Sequence, residues 1–334
     1  MNYKYDVTAV LLTYNPKIDK ILLSLNSLIN QKNIKYEILV CDDGSKNPFT
    51  NEIVQFFAQN SFNNYRIINQ KENNGTVINC LNAAKNAQGK YLFLTSPGDI
   101  IYDDMTLADF FNFAEKNNYE ICFGNAIFYN LENNNLNIIN EKNNPNHLQL
   151  YKKKSLLPLA KTNFFLNNDG ILGAAYFRKT SIAVKYFEII KNFKSKYVED
   201  TTSTLCALAD NVNVFYYNRN IIWYEYGTGV STSSDNKWNC LIENDYESVL
   251  NGLKINNPKN PYIDLAYIRL LNSKKKSIIL KLKRILKHPK FSFEQILINM
   301  TKIYTTKDLD YDKNILDNKI KDYNKIDLRK EEKK

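Results

Sequence analysis

Polar residues follow two apolar runs of the sequence at the points where buried strands would end. Val7–Thr13 leads into a Thr-Tyr-Asn triplet, and Tyr36–Cys41 leads abruptly into Asp-Asp-Gly-Ser. Carboxylates at the carboxyl end of a strand can accept hydrogen bonds from a nucleobase imide or a ribose hydroxyl. The candidate nucleotide-binding residues here are Thr13, Tyr14, Asn15, Asp42 and Asp43. A plain turn would also use Asp and Gly at the second of these places.

Another polar group opens the helical pattern at residues 76–87. Asn74-Gly75 precedes this pattern, and Thr76, Asn79 and Asn82 recur within it at intervals of three residues. This spacing puts the three side chains on one helix face. The face could contact a ligand or solvent, so Asn74, Gly75, Asn79 and Asn82 are candidate nucleotide contacts.

The loop after the apolar run Lys90–Leu94 carries a single carboxylate. Its candidate ligand-binding members are Ser96, Gly98 and Asp99. The only histidines of the chain, His147 and His288, cannot build a multi-histidine metal centre. We therefore expect the chemistry of this protein to depend on carboxylates.

Further candidates lie in the second half of the chain. Glu199-Asp200 precede a helical pattern at Thr201–Ala209, and taken alone they fit an N-cap and first-turn charge better than catalysis. Asp169 lies in an Asn-Asp-Gly turn sequence. Trp223 and Tyr226 could stack on a sugar or belong to the core.

Composition excludes several classes of protein. The 334-residue chain is 44% hydrophobic and 13% aromatic, with 10 Gly and 8 Pro, which excludes disordered and collagen-like chains. Only the net charge of +10 favours nucleic-acid binding, which we do not expect. Five cysteines without a CxxC pair argue against disulfides or structural zinc and favour a reducing compartment. Because neither a signal peptide nor a membrane-spanning run is recognisable, we expect a cytoplasmic protein.

Strands and helices alternate through about the first 125 residues, which predicts an α/β fold with a mostly parallel sheet flanked by helices. The predicted strands are Val7–Thr13, Tyr36–Cys41, Tyr65–Ile68, Lys90–Leu94, Glu120–Phe123, Val212–Tyr217 and Ile221–Tyr226. Leu131–Pro145, rich in Asn and poor in pattern, is predicted to be an exposed or mobile excursion over the site. From Lys237 the pattern is helical, so we predict a catalytic domain at residues 1–235 and a basic helical region at 236–334.

The excess positive charge is concentrated at Asn272–Lys290. Within this stretch Ile278, Leu282, Ile285 and Leu286 form one helical stripe among lysines. Such a helix can lie on an anionic membrane surface, where each nearby cation contributes about 1 kcal/mol. A bundle helix with a solvated lysine face would have the same pattern.

The order of these motifs over residues 6 to 232 resembles glycosyltransferase family 2, an inverting family with the GT-A fold. The segments that carry the resemblance are Thr13-Tyr14-Asn15, Asp42–Ser45, Asn74-Gly75, Ala87–Tyr91, Gly173–Arg178, Glu199-Asp200 and Tyr226–Thr232. Each motif is weak alone, but their order and spacing together are specific.

The resemblance implies a hexosyltransferase that moves a sugar from a nucleotide diphosphate donor, a UDP-sugar, to a glycan or lipid-linked acceptor. It implies Asp200 as general base, with Glu199 orienting it or contacting the acceptor. Asp43, or in its place Asp42, would recognise a pyrimidine base, and Asp169, Gly173, Trp223 and Tyr226 would face the acceptor. The pathway implied is cell-surface polysaccharide synthesis, of capsule or lipopolysaccharide, on the cytoplasmic face of the inner membrane.

One departure from the family concerns the metal. The family writes D-x-D-D where this chain has Thr95-Ser96-Pro97-Gly98-Asp99, so Asp99 alone is expected to hold Mn²⁺ or Mg²⁺. Magnesium often uses only one or two protein carboxylates, and turnover helped by lysines is the alternative. Two other functions stay open: a degenerate member that binds nucleotide or glycan without catalysis, and a nucleotidyltransferase. The second is disfavoured because residues 13–20 contain no glycine for a phosphate loop.

Overall fold

The amino-terminal half alternates strands and helices, which confirms the predicted α/β fold. The computed structural model describes residues 3–132, 135–227, 236–275 and 278–331. Its first elements are β1 (Tyr5–Thr13), α1 (Ile18–Ile29), β2 (Tyr36–Asp42), α2 (Thr50–Gln59), β3 (Tyr65–Asn69), α3 (Thr76–Asn86), β4 (Gly89–Thr95), β5 (Ile100–Ile101) and α4 (Thr106–Lys116). Nearly every residue of β1, β2 and β4 is buried, as expected for parallel strands covered on both faces by helices.

The second half of the sheet mixes strand directions. Its elements are β6 (Ile121–Glu132), β7 (Asn135–Ile138), α5 (Leu157–Asn167), β8 (Tyr176–Lys179), α6 (Thr180–Asn192), α7 (Glu199–Ala209) and β9 (Val214–Glu225). The strand order is β3-β2-β1-β4-β8-β6-β9-β5, with β7 paired to β6. β3, β2, β1 and β4 pair in parallel, whereas β8 is antiparallel to both β4 and β6. This arrangement brings the ends of β1, β2 and β4 to one edge of the sheet.

The predicted excursion at Leu131–Pro145 is exposed in part, but it also contains regular structure and buried residues. β6 continues to Glu132 and forms a hairpin with β7, and Asn143 and Pro145 beyond the hairpin are buried. Asparagine has low strand propensity, but pairing of β6 with β9 along residues 125–129 outweighs it. For the same reason the two predicted strands at Val212–Tyr217 and Ile221–Tyr226 form the single strand β9.

Helices dominate the carboxyl-terminal part of the chain, as predicted. They are α8 (Asn236–Asn256), α9 (Pro261–Lys275), α10 (Ile278–Lys287), α11 (Pro289–Asn299) and α12 (Lys313–Glu331). α8 packs against α7. Both α9 and α11 pack against α5, and α12 packs against α1. The domain boundary at residues 235/236 stays a prediction. Within the described ranges, no helix is both long and apolar enough to cross a membrane.

Candidate active site

Asp42 ties the ends of β1 and β2 together. Thr13 and Asp42 are paired residues of the two strands, and the Thr13 hydroxyl donates to Asp42 Oδ1 at 2.9 Å. The backbone amide of Ser45 donates to Asp42 Oδ2 at 2.7 Å, which closes the turn after β2. Asp42 is 2% exposed, so its contacts in this structure hold the turn together.

Asp43 holds the loop that leads into α3. Its carboxylate accepts the backbone amides of Asn74 at 3.0 Å and Gly75 at 2.8 Å, and the Gln70 amide at 3.1 Å. Burial raises the pKa of Asp43, while the two backbone amides oppose that shift. Gly75 has φ +93°, and a Cβ there would lie 2.4 Å from Lys196, so only glycine fits this loop. Both oxygens thus accept hydrogen bonds from this loop. Recognition of a base by Asp43 stays a prediction.

Tyr14 and Asn15 form the exposed rim of the same edge. The Tyr14 side chain is 52% exposed and offers an aromatic face to a planar ligand. Asn15 adopts φ +43°, and its backbone amide donates to the Ser45 hydroxyl at 2.6 Å. Asn15 Oδ1 accepts the amide of Lys46 at 3.0 Å, which fixes the loops after β1 and β2 relative to each other.

Asn79 faces the protein interior, whereas Asn82 is half-buried. Asn79 is 4% exposed and donates to the carbonyl of Cys41 at 3.0 Å. Gln70 bridges the two asparagines, donating to Asn79 Oδ1 at 3.2 Å and accepting from Asn82 at 3.0 Å. The prediction that Asn79 contacts the nucleotide is therefore corrected, because its side chain is occupied in fixing α3 against β2. For Asn82 the contact stays a prediction. The alternative of a solvated face is wrong for Asn79.

The loop from Ser96 to Asp99 is attached to α1. The backbone amide of Gly98 donates to the Ser24 hydroxyl at 2.9 Å and the Lys20 carbonyl at 3.2 Å. Asp99 Oδ2 accepts the amide of Ser96 at 3.0 Å, and Asp99 Oδ1 accepts the amide of Glu225 at 3.3 Å. Ser96 itself is exposed, whereas Asp99 is 3% exposed.

This donor set does not fit a divalent cation. Both oxygens of Asp99 accept hydrogen bonds from backbone amides. The neighbouring carboxylate of Glu225 forms an ion pair with Lys20. Burial, with the Glu225 carboxylate adding to it, raises the pKa of Asp99 to about 8. Across the described ranges, no three His, Cys, Asp or Glu side chains converge to hold a metal. The prediction that Asp99 binds Mn²⁺ or Mg²⁺ is therefore not supported by the arrangement of its donors.

A cleft of about 350 Å³ lies beyond this loop and contains the downstream carboxylates. Its walls include Ser96, Gly173, Glu199, Asp200 and Tyr224. A Cβ at Gly173 would lie 2.7 Å from Glu199 Oε1 and 3.7 Å from Asp200 Oδ2, so the absent side chain leaves room for both carboxylates. A larger cleft of about 440 Å³ opens between β9 and residues 304–310, and its walls contain none of the predicted site residues.

Glu199 and Asp200 begin α7 and form a pair of neighbouring acids. Burial raises the pKa of both, and the Asp200 charge raises that of Glu199 further. The Arg178 guanidinium opposes these shifts; it is 4% exposed and lies 3.7 Å over the Tyr176 ring. A carboxylate with a raised pKa in a cleft can accept a proton near neutral pH. Sequence reasoning noted Arg178 only as the end of a motif, because its charge reaches the acids through tertiary packing.

Asp245 of α8 positions the segment before these acids, a function that sequence reasoning missed. Its Oδ2 accepts the backbone amides of Lys196 at 2.8 Å, Tyr197 at 2.5 Å and Val198 at 3.1 Å. The Ser195 hydroxyl also donates to it, at 3.2 Å. No local pattern in α8 marks Asp245, because all of its partners lie 47 to 50 residues earlier in the chain.

Two of the predicted acceptor-binding residues are corrected by the structure. Trp223 is fully buried and stacks on Tyr102 at 5.0 Å between ring centroids, so it belongs to the core. Asp169 is 6% exposed and accepts the backbone amides of Asn146 at 2.8 Å and His147 at 2.9 Å, so it anchors the preceding loop.

Tyr226 follows β9 and is half-buried, with its ring edge-on to Phe128. Its contact with an acceptor stays a prediction. Residues 228–232 of the predicted closing loop lie outside the described residues.

The fold and the motifs match proteins that transfer sugars. Residues 8–174, half of the chain, match the family described as Glycosyl transferase family 2, and the chain belongs to that family of enzymes. The structure of S. aureus TarS in complex with UDP-GlcNAc aligns with a TM-score of 0.56 at 17% identity, over 80% of this chain and 72% of that one. The complex of S. aureus TarS with UDP aligns with a TM-score of 0.53 at 15% identity, over 82% and 72%. At these identities the likeness concerns the fold, which is the GT-A type; no curated protein sequence matches the chain.

Removal of the Arg178 charge should shift the pH dependence of the enzyme. Arg178 lowers the pKa of Glu199 and Asp200, so Arg178→Met should raise both. Because a general base acts as the anion, the acidic limb of the kcat/KM profile should then move to higher pH by about one unit or more. Arg178→Lys keeps the charge and should shift it less. An unchanged limb in Arg178→Met would show that the ionisation of these acids does not control the rate.

Proposed function

We propose that this protein is an inverting glycosyltransferase that moves a hexose from a UDP-sugar to a hydroxyl of a glycan or lipid-linked acceptor. The observation that carries the proposal is the pair Glu199 and Asp200, two half-buried acids with raised pKa values in one cleft with Ser96 and Gly173. The choice of uridine is supported by the bound UDP and UDP-GlcNAc of the TarS structures, whose fold this chain shares.

The proposed reaction is a single displacement. Asp200 removes the proton of an acceptor hydroxyl as its oxygen attacks the anomeric carbon, opposite the nucleotide. The bond from that carbon to the diphosphate oxygen breaks, and its electron pair leaves with UDP. One displacement inverts the anomeric configuration. Glu199 is the neighbour that orients Asp200 or contacts the acceptor, and Arg178 limits how far their pKa values rise.

Nucleotide-dependent stabilisation tests the donor. The wild-type protein is heated with UDP, GDP, CDP or ADP, and selective stabilisation by UDP is expected; a ligand at 100 times its Kd adds about 2.7 kcal/mol. Formation of UDP from UDP-sugars then tests turnover. Stabilisation by another nucleotide alone would replace uridine in the proposal, and no response to any nucleotide would contradict it.

A second candidate function is binding of nucleotide or glycan without catalysis. The observation that favours it is the loop at residues 96–99, which offers only the buried Asp99 where the family has several acids. UDP binding without release of UDP from any UDP-sugar, alone or with glycan acceptors, would favour this function over transfer.

The apolar face of α10 supports a membrane contact for this enzyme, in keeping with a lipid-linked acceptor at the cytoplasmic face of the inner membrane. The predicted stripe is exposed to solvent by 45% to 82%, so α10 does not bury it as a bundle helix would. The stripe comprises Ile278, Leu282, Ile285 and Leu286, and Phe293 and Ile296 of α11 are also exposed. Lys283 adds exposed positive charge, whereas Lys287 pairs with Asp264 at 2.7 Å and Lys290 with Glu294 at 3.7 Å. We propose that this face lies on anionic lipid.

Vesicle flotation tests this contact. The wild type should float with vesicles that contain phosphatidylglycerol, and Leu282→Ser/Leu286→Ser should bind them at least about tenfold more weakly, because each buried leucine contributes about 1.5–3 kcal/mol. Val54→Ser, at an exposed apolar position of α2, is the matched control. Equal flotation of the double variant and the wild type would exclude this face as the membrane contact.

A further inference from the structure

The Glu225 carboxylate lies against Gly98, in the space that a side chain at position 98 would occupy. Gly98 has φ +101°, and a Cβ built on it would lie 2.1 Å from Glu225 Oε2. A side chain at position 98 would therefore require the Glu225 carboxylate to move. Asp99 is the single acid of the loop at residues 95–99, and β9 brings a second carboxylate, that of Glu225, beside Gly98.

Glu225 is paired with a cationic side chain. The Lys20 ammonium of α1 forms an ion pair with Glu225 Oε1, although the two residues are 205 positions apart in the chain. The Glu225 side chain is 4% exposed, whereas that of Lys20 is 26% exposed. An ammonium has three N–H donors, so Lys20 can keep its carboxylate and still donate to a second anion.

The position of Lys20 is fixed by the loop itself. The Lys20 carbonyl accepts the Gly98 amide at 3.2 Å, and the Ser24 hydroxyl one helical turn later donates to the Ser96 carbonyl at 3.2 Å. Ser96 and Tyr224, which line the cleft with Asp200, are next to this cluster in the chain. The ion pair therefore lies beside the loop that supplies Ser96 to the wall of the cleft.

We propose that Lys20, held by Glu225, is a substrate-binding residue that contacts the diphosphate of the donor, so that the protein binds its nucleotide without a divalent cation. This inference rests on the proposed function. A divalent cation in a sugar transferase bridges protein carboxylates and phosphate oxygens. Lys20 can make the same bridge from Glu225 to the diphosphate, since lysine binds phosphate as a point charge. The Lys20 ammonium would thus take the place of the cation that the donors around Asp99 do not fit.

Calorimetry of UDP binding tests the proposal, once in EDTA and once in Mn²⁺. The wild type should bind UDP with nearly the same Kd in both. Lys20→Met should weaken UDP binding in EDTA by about tenfold or more, as expected for loss of a hydrogen bond to a charged group. Uridine, which lacks phosphates, should bind the wild type and Lys20→Met equally.

Three further variants separate this role from a structural one. Lys20→Met leaves the buried Glu225 carboxylate without its lysine. The double variant Lys20→Met/Glu225→Gln removes both charges, and it should lose as much UDP affinity as Lys20→Met does. Lys20→Arg keeps the cation and should retain most of the affinity. Lys32→Met is the matched control, because Lys32 follows the other end of α1 and pairs with Asp104 at 3.1 Å.

The outcomes distinguish this inference from the proposed function. UDP binding that requires Mn²⁺, or that is unchanged in both Lys20→Met and the double variant, would overturn the role of Lys20 and leave a UDP-sugar transferase standing. Absence of UDP binding under every condition would overturn both.

Discussion

Asp200→Asn should lower kcat for sugar transfer by about 10²–10⁴-fold, the usual contribution of a positioned general base. Asparagine keeps the shape of the side chain but cannot accept the proton of the acceptor hydroxyl. Asp200 and Glu199 are like charges in a partly buried place, so removing one charge should not destabilise the fold at neutral pH. The Kd for UDP should stay the same, because the base contacts the acceptor. Steady-state kinetics and calorimetry on the same preparation measure both quantities.

The control for this prediction lies on the same helix. Asp210→Asn changes an exposed aspartate at the other end of α7, ten residues or about 15 Å away, and should leave kcat unchanged. Glu199→Gln should reduce kcat less than Asp200→Asn does. Near-normal turnover in Asp200→Asn together with a large loss in Glu199→Gln would show that Glu199 is the general base and Asp200 its neighbour.

Asp245→Ala should lower both stability and turnover although Asp245 does not line the cleft. The substitution leaves the amides of Lys196, Tyr197 and Val198 without their shared acceptor. Loss of hydrogen bonds to a buried charge costs about 3 kcal/mol, so the free energy of unfolding should fall by about that amount. Because these amides immediately precede Glu199, the acids should lose their fixed position and kcat should fall as well.

Measurements well below the melting temperature separate these two effects. Asp245→Asn retains a carbonyl oxygen that can accept from the amides, so it should keep more of both stability and kcat than Asp245→Ala. A variant that melts earlier but turns over normally at low temperature would show that Asp245 stabilises the fold without positioning the acids.

Local patterns predicted the elements that position the site. The apolar runs that became β1, β2 and β4 are buried on both faces, and this burial is visible in the sequence as uninterrupted hydrophobic residues. Their polar ends meet at one sheet edge because parallel strands share a direction. The motif order also predicted the family that the comparison of residues 8–174 establishes.

The errors have a common physical origin. Trp223, Asp169 and Asn79 are residue types that bind ligands in many proteins, but here they are buried and paired inside the protein. A residue type states what a side chain can bind, whereas the direction in which it points depends on how the whole chain packs. The hairpin at residues 121–138 was missed because its strands depend on pairing with each other and with β9.

The sequence by itself determined the class of fold, the order of the strands that end in polar loops and the membership of a sugar-transferring family, because these depend on local periodicity and on short motifs. Only the tertiary structure decided which charges meet. Lys20 and Glu225 lie 205 residues apart, and Arg178 acts on acids that begin another helix. Electrostatic interactions depend on distance in space and on burial, and neither can be read from the order of residues along the chain.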